Sequence, residues 1–283
     1  MTEPATPGVA DPARWLALYR AIETDRPDAA FRDPWARALA GAGGRQMPKT
    51  LAGEDVSWSF TARTQVIDRF VEACVTRAGV DMVISLAAGL DARPYRLALP
   101  PTLRWVEIDL PDVLDYKEGI LAGATPCCEI ERVRLDPLNR DGRRGVFAEL
   151  ASRSTKALVI TEGFLVHLMS YDVRQLARDL AEVPCFQHWL LDLWSPALLG
   201  MMNDRLGDVL REAGTPYLFG PMEGPAFFEG CGWNPIDVRS LVKAARRLNR
   251  LPLFLRMMAL LPETSRGFGS RPWAGVCLLQ RKF

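Results

Sequence analysis

The sequence is short of several residue types, and each shortage excludes something. Its only histidines are His167 and His188, and none of its six cysteines (Cys74, Cys127, Cys128, Cys185, Cys231, Cys277) forms a Cys-x-x-Cys pair. Too few clustered ligands remain for a zinc centre, so no metal is expected and the thiols read as reduced and structural. No window approaches 18 uninterrupted apolar residues, since the most apolar late stretch, 251–261, contains Pro252 and Arg256. A membrane span is therefore not expected. The opening MTEPATPGVADPARW lacks the basic start and apolar core of an export signal, which predicts a cytoplasmic protein. Charge of one sign is missing as well. The 35 Lys+Arg nearly balance the 34 Asp+Glu, leaving no broad field to draw nucleic acid or anionic lipid. What is present, 48% apolar and 24% charged residues, is the composition of an ordinary globular protein. The 283 residues match about two average domains, yet α/β folds run to this length as one unit, so a single domain over 1–283 is expected.

Residues 1–12 read as an irregular arm. Trp15, Leu16, Tyr19 and Ile22 then fall at helical spacing, Asp33-Pro34 caps a second helix that runs into Gly41–Gly44, and 57–77 carries a broad apolar face. The first eighty residues thus form a helical cap. From Asp81 the pattern changes to short β-rich runs, MVISLAA, LRWVEID, ERVRLD, KALVITE and HWLLDLW, with crossover segments at 91–99, 111–121, 144–151 and 171–181. This alternation predicts a doubly wound, mostly parallel sheet over 81–194. Residues 195–232, a Leu/Met-rich helix followed by a Gly/Pro-rich loop, read as a lid insertion. A helix at 237–248 and a strand at 275–280 complete the sheet.

Four of the five runs end in acid: Asp91 just past the first, then Asp109, Asp136 and Glu162. Open α/β sheets bind ligands outside the carboxyl ends of their strands, so this crevice is lined with carboxylates. That argues against a polyphosphate and favours a ligand with ribose hydroxyls, an exocyclic amine and cationic groups, as in S-adenosylmethionine. The turn VISLAAGLDAR supplies two small residues and Gly89 where backbone must approach such a ligand. It is not the glycine-rich turn of a dinucleotide fold.

These segments resemble the leucine carboxyl methyltransferase-like family of S-adenosylmethionine-dependent O-methyltransferases, including its bacterial polyketide-tailoring members. The likeness is carried by RPDAAFRDPWARALAG (26–41), Arg63 within SFTARTQ, VISLAAGLDARPYRL (83–97), WVEIDLPDVLDYK (105–117), VRLDPLN (133–139) and TEGFLVHL (161–168). It implies a Rossmann-like seven-stranded sheet. By this resemblance Arg63 pairs with the cofactor's carboxylate, and Ala87 and Gly89 pass its methionine part. Asp109 holds the ribose, Asp136 and Pro137 frame the adenine, and Glu162 meets the amino-acid end. Two positions depart from the family pattern. Pro137 replaces the usual Leu and removes a backbone amide beside Asp136, and His167 stands where many members have Tyr.

Glu162, inside an otherwise apolar run, needs a partner, for which a cofactor ammonium or Arg63 would serve. Asp109 and Asp136 have a plainer alternative as helix or turn caps. Phe219, Phe227, Phe228 and Trp233 can roof an acceptor pocket or pack in the core. The expected reaction is methyl transfer to a carboxylate or hydroxyl of a small organic acceptor, plausibly a natural product. A hydroxyl acceptor wants a base, and His167 is the histidine placed for it. Competing readings are a non-catalytic nucleoside-binding regulator and a nicotinamide-dependent oxidoreductase.

Overall fold

Two uninterrupted apolar runs become the innermost strands of the sheet. In a computed structural model describing residues 11–44, 54–212, 214–258 and 268–282, β1 (Met82–Leu86) and β4 (Ala157–Thr161) lie side by side with every residue buried. Burial on both faces is what a parallel strand needs when helices cover both sides, which is why these runs do not alternate with polar residues. The other strands are β2 (Arg104–Asp109), β3 (Glu129–Arg134), β5 (Phe186–Trp194), β6 (Trp233–Ser240) and β7 (Ala274–Arg281). Their order is β3-β2-β1-β4-β5-β7-β6, and β7 alone runs antiparallel to its neighbours.

Successive residues send side chains to opposite faces, and each face has its own core. Met82, Ile84, Leu86, Val159 and Trp189 join one cluster with α6 (Arg140–Ala151) and α7 (Ser170–Ala181). Val83, Leu158, Ile160 and Leu190 join the other, beneath α3 (Glu54–Arg77) and α9 (Leu241–Arg247). The helical cap begins with α1 (Asp11–Thr24) and α2 (Ala36–Gly44). Ala17, Leu39 and Ala40 of these helices pack on Leu90 and Ala92 beside the end of β1 and on Leu121 of α5 (Pro111–Leu121). The remaining helices are α4 (Arg93–Arg96), α8 (Pro196–Glu212) and α10 (Leu253–Met258).

The five expected runs are all strands, and 237–248 is the clearest correction. Its first part belongs to β6, and α9 starts only at Leu241. Residues 234–239 alternate exposed and half-buried, as an edge strand should, while Pro235 and the charged Asp237 and Arg239 disguise it. Edge position tolerates the proline, and the register shifts beside it, between Pro235 and Asp237. The crossover at 91–99 contains only the short α4. Residues 1–10 of the expected arm lie outside the described residues, and 11–12 already belong to α1.

The aromatic residues of 219–233 do not roof a pocket. Phe219, Phe227, Phe228 and Trp233 are buried in the core with Trp189, and the Trp233 indole donates to the Ala177 carbonyl at 2.9 Å. Edge-to-face contacts at 5.0–5.5 Å link Phe219 with Phe227, Phe227 with Phe228, and Trp189 with both Phe228 and Trp233. Among the described residues, no helix is long and apolar enough to cross a membrane, and no group of three His, Cys, Asp or Glu could hold a metal ion.

Candidate functional site

The strand order reverses at β1, whose neighbours β2 and β4 carry the chain away in opposite directions. A crevice opens outside the carboxyl ends of strands at such a point. Here it encloses about 380 Å³, within the span of small-molecule sites. Ala87, Gly89, Asp91, Asp109, Asp136, Pro137, Glu162 and His167 all line it. The sequence-predicted residues therefore converge, with one exception: Arg63 lines a neighbouring cavity instead.

The floor is a tight turn. Ala87 and Gly89 have φ of 55° and 49°, and the Ala87 amide donates to the Ile108 carbonyl of β2 at 2.9 Å. A left-handed alanine costs about 1 kcal/mol, so neighbouring contacts must hold it. Asp109 does so. One carboxylate oxygen accepts from the Gly89 amide and the other from the Leu110 amide, both at 2.7 Å. Asp109 thus ties the β1 and β2 turns together rather than capping α5, which has no side-chain cap. Each oxygen retains acceptor capacity, and burial pushes the carboxyl above its usual range despite these bonds.

The far wall is ionic. The Arg63 Nε donates to Glu162 at 3.0 Å and its Nη1 to Asp192 at 3.1 Å. The Arg93 Nη1 reaches Glu162 and Asp91, each at 2.8 Å, and its Nε reaches Asp68 at 2.7 Å. Asp68 also accepts from both Arg96 Nη atoms, Arg96 approaches Asp33 at 3.8 Å, and Asp33 pairs with Arg20 at 2.8 Å. The chain thus joins Arg20, Arg63, Arg93 and Arg96 to Asp33, Asp68, Asp91, Glu162 and Asp192. No side chain in it is more than 20% exposed. Among the described residues of this chain of ion pairs, four guanidiniums face five carboxylates, an excess of one negative charge, with Lys117 acting on Asp91 from outside it. Despite burial, which works against ionisation, Arg93 and its neighbours hold Asp91 down at about 2, and Arg93 with Arg63 keeps Glu162 below its usual value. Asp192 also accepts from the Gly163 amide at 2.6 Å. With φ of 65° at Gly163, this bond fixes the turn after β4.

The other end is less charged. Asp136 is exposed and its Oδ1 accepts from the Leu138 amide at 2.8 Å, a local turn bond. Pro137 is buried, and its carbonyl is held by Arg143 at 2.6 Å. His167 sits in a 3₁₀ turn at Leu165–His167 with its Nδ1 3.1 Å from the Pro216 carbonyl. A carbonyl only accepts, so Nδ1 carries the hydrogen and Nε2 keeps its lone pair. Burial lowers the imidazole pKa and favours the neutral ring.

Sequence reasoning missed Arg20, Asp68, Arg93 and Asp192. Asp192 carries the same signal as Glu162, a carboxylate inside an apolar strand. Arg93 lies within the turn motif already singled out. Arg20 and Asp68 gave no signal, because on a helix a charged residue ordinarily means solvent.

Residues 13–181 match the family description "Leucine carboxyl methyltransferase". The chain belongs to this family. A relative from Streptomyces coelicolor, provisionally named an S-adenosyl-L-methionine-dependent methyltransferase, is 32% identical over 185 residues, covering 62% of this chain and 65% of that protein. One from Rhodococcus jostii with the same provisional name is 38% identical over 130 residues, covering 43% and 44%. The chain spans less than two thirds of the length of these family members. Among solved structures, a duf574 family protein from Streptomyces avermitilis superposes with a TM-score of 0.61 at 17% identity, covering 95% of this chain and 97% of that one. A provisionally named methyltransferase from Thermobifida fusca gives 0.55 at 15% identity, covering 98% and 96%. These two likenesses establish the Rossmann-like fold.

Proposed function

We propose that this chain is an S-adenosylmethionine-dependent O-methyltransferase that binds its donor in the strand-end crevice and methylates a carboxylate or hydroxyl of a small organic acceptor. The observation that carries this reading is the unbalanced charge in the crevice wall. Buried charge without compensation is costly, and among the described residues of the ion-pair chain five carboxylates against four guanidiniums leave a single negative charge beside an open cavity. S-adenosylmethionine, with a sulfonium, an ammonium and a carboxylate, brings the missing positive charge.

The other lining residues suit the rest of that molecule. Asp109 has lone pairs for ribose hydroxyls, and Ala87, Ala88 and Gly89 add no more than a methyl group where the methionine part would pass. Leu110, Val113 and Leu138 offer apolar contact for a base, with Asp136 at its edge. Pro137 brings no amide, and the Leu138 amide is occupied by Asp136, so adenine would rest mainly on packing. Glu162 is placed for the ammonium. Because Arg63 lines the neighbouring cavity and not the crevice, the guanidiniums lining the crevice itself, Arg20 and Arg93, are nearer partners for the cofactor's carboxylate.

When bound, the cofactor supplies an electrophilic methyl group, so the protein's task is alignment and exclusion of water. α1 closes one side of the crevice through Ala13, Leu16 and Arg20, and the 214–216 segment closes another. For a hydroxyl acceptor, His167 Nε2 is a neutral proton acceptor in the crevice. Calorimetric titration with S-adenosylhomocysteine tests the donor site, and the expected outcome is one-site binding. Absence of heat at millimolar ligand would refute it. Release of labelled methyl product from an acceptor panel separates an enzyme from a regulator that only binds.

A further inference from the structure

The turn at the base end of the crevice is gripped from behind. Asp136, Pro137 and Leu138 line the crevice, and the peptide plane joining Pro137 to Leu138 carries a bond on each side. Its carbonyl accepts from Arg143 Nη1 at 2.6 Å, and its amide donates to Asp136 Oδ1 at 2.8 Å. A peptide unit is rigid and planar. Rotating the carbonyl away from Arg143 therefore swings the Leu138 amide away from the carboxylate, so the guanidinium sets the direction in which Asp136 is held.

The anchor is buried. Arg143 of α6 exposes 4% of its side chain and Asp179 of α7 none, and Arg143 Nη2 donates to Asp179 at 2.7 Å. Arg140 and Arg144 reach the same carboxylate at 2.9 and 3.3 Å. Against burial, which raises it, Arg140 and Arg143 hold the Asp179 carboxyl below its usual range. Arg143 has little freedom to turn elsewhere, because its donors form a fixed fork and a buried donor that loses its acceptor is costly. The flanks of the turn are tied as closely. The Asn139 amide bonds the Asp136 carbonyl and the Leu135 amide bonds the Asp109 carbonyl, each at 2.9 Å. The Asn139 side chain caps α6 by accepting from the Gly142 amide at 3.1 Å.

We propose that Arg143, braced by Asp179, is a positioning residue that fixes the 136–138 turn and through it selects adenine over hypoxanthine at this end of the crevice. The inference rests on the donor reading above. Adenine presents an exocyclic amine from which a fixed Asp136 carboxylate accepts, whereas hypoxanthine presents a carbonyl there and sets acceptor against acceptor. Were Arg143 only a tie between α6 and α7, its loss would lower stability and leave that choice untouched.

The test uses the full chain and two ligands that differ at the purine 6-position, S-adenosylhomocysteine and S-inosylhomocysteine, titrated by calorimetry. The parent is expected to prefer the adenine ligand at least tenfold. Arg143→Lys keeps a cation for Asp179, but a single ammonium cannot bridge carboxylate and carbonyl as the fork does. Its preference falls below threefold through weaker S-adenosylhomocysteine, with S-inosylhomocysteine within twofold of the parent. Asp179→Asn moves the preference the same way should Arg143→Lys fail to fold. In the ligand-free variant, hydrogen exchange at the Leu138 amide speeds up at least tenfold. Equal affinity of the parent for the two ligands, an undiminished preference in a folded variant, or equal loss of both ligands overturns the proposal while the donor site stands. Failure of S-adenosylhomocysteine to bind the parent chain overturns the donor reading itself, so the two failures are distinct.

Discussion

Replacing Glu162 with Gln removes the excess negative charge and changes little else in shape. For a cation about 4 Å from a carboxylate at an effective dielectric of about 20, Coulomb's law gives about 4 kcal/mol. Glu162 is 20% exposed and already shared between Arg63 and Arg93, so half of that, about 2 kcal/mol, is a fair expectation after screening. This corresponds to roughly thirtyfold weaker binding of S-adenosylmethionine. The fold loses a charged acceptor for two guanidiniums, but Arg63 retains Asp192, and Arg93 retains Asp68 and Asp91. Stability should fall by about 2 kcal/mol, a melting shift of about 3 °C. Calorimetry on variant and parent, paired with thermal unfolding, separates the two effects. A lowered melting point with unchanged ligand affinity would refute the reasoning, because Glu162 would then serve only to clamp the arginines.

Acid should weaken the fold through the same wall. Asp91 and Glu162 are held below their unfolded values, so their contribution is present above about pH 4 and drains as the pH falls through the folded values. For Asp91, shifted from 3.8 to about 2, this amounts to about 2 kcal/mol in full, of which about 1 kcal/mol is lost by pH 3; urea unfolding at pH 6 and pH 3 measures that part, and equal midpoints would contradict it. Phe228→Ala should cost about 3–5 kcal/mol in denaturant unfolding, as a buried ring between Trp189 and Phe227. A loss under about 1 kcal/mol would return this segment to the role of a lid.

Much of this architecture was legible because burial on both faces leaves a plain mark. The runs at 82–86 and 157–161 could be little else once bounded by helix-length segments. The edge strand at 233–240 was hidden for the opposite reason, since one neighbour and solvent exposure let Pro235, Asp237 and Arg239 stand in it. The crevice acids Asp109, Asp136 and Glu162 could be placed by counting to the end of each run. Arg63 could be named as a partner for Glu162, and the pair forms at 3.0 Å; Asp68 could not, because its partners Arg93 and Arg96 lie on a distant segment and only folding turns a polar helix stripe inward. The same ambiguity assigned Phe228 to a roof as readily as to the core, since a ring in a Gly/Pro-rich stretch carries no period.

One consequence concerns where this chain can be cut. Ala13, Leu16 and Arg20 of the first helix border the ligand space, and Arg20 Nη2 holds the Leu90 carbonyl at 2.6 Å. A recombinant fragment beginning after residue 24 would keep every strand and still leave the hollow unwalled on that side. Conversely, an occupied hollow should shield the leading helix from proteases, so limited digestion near that end becomes a gauge of occupancy without any dye or label.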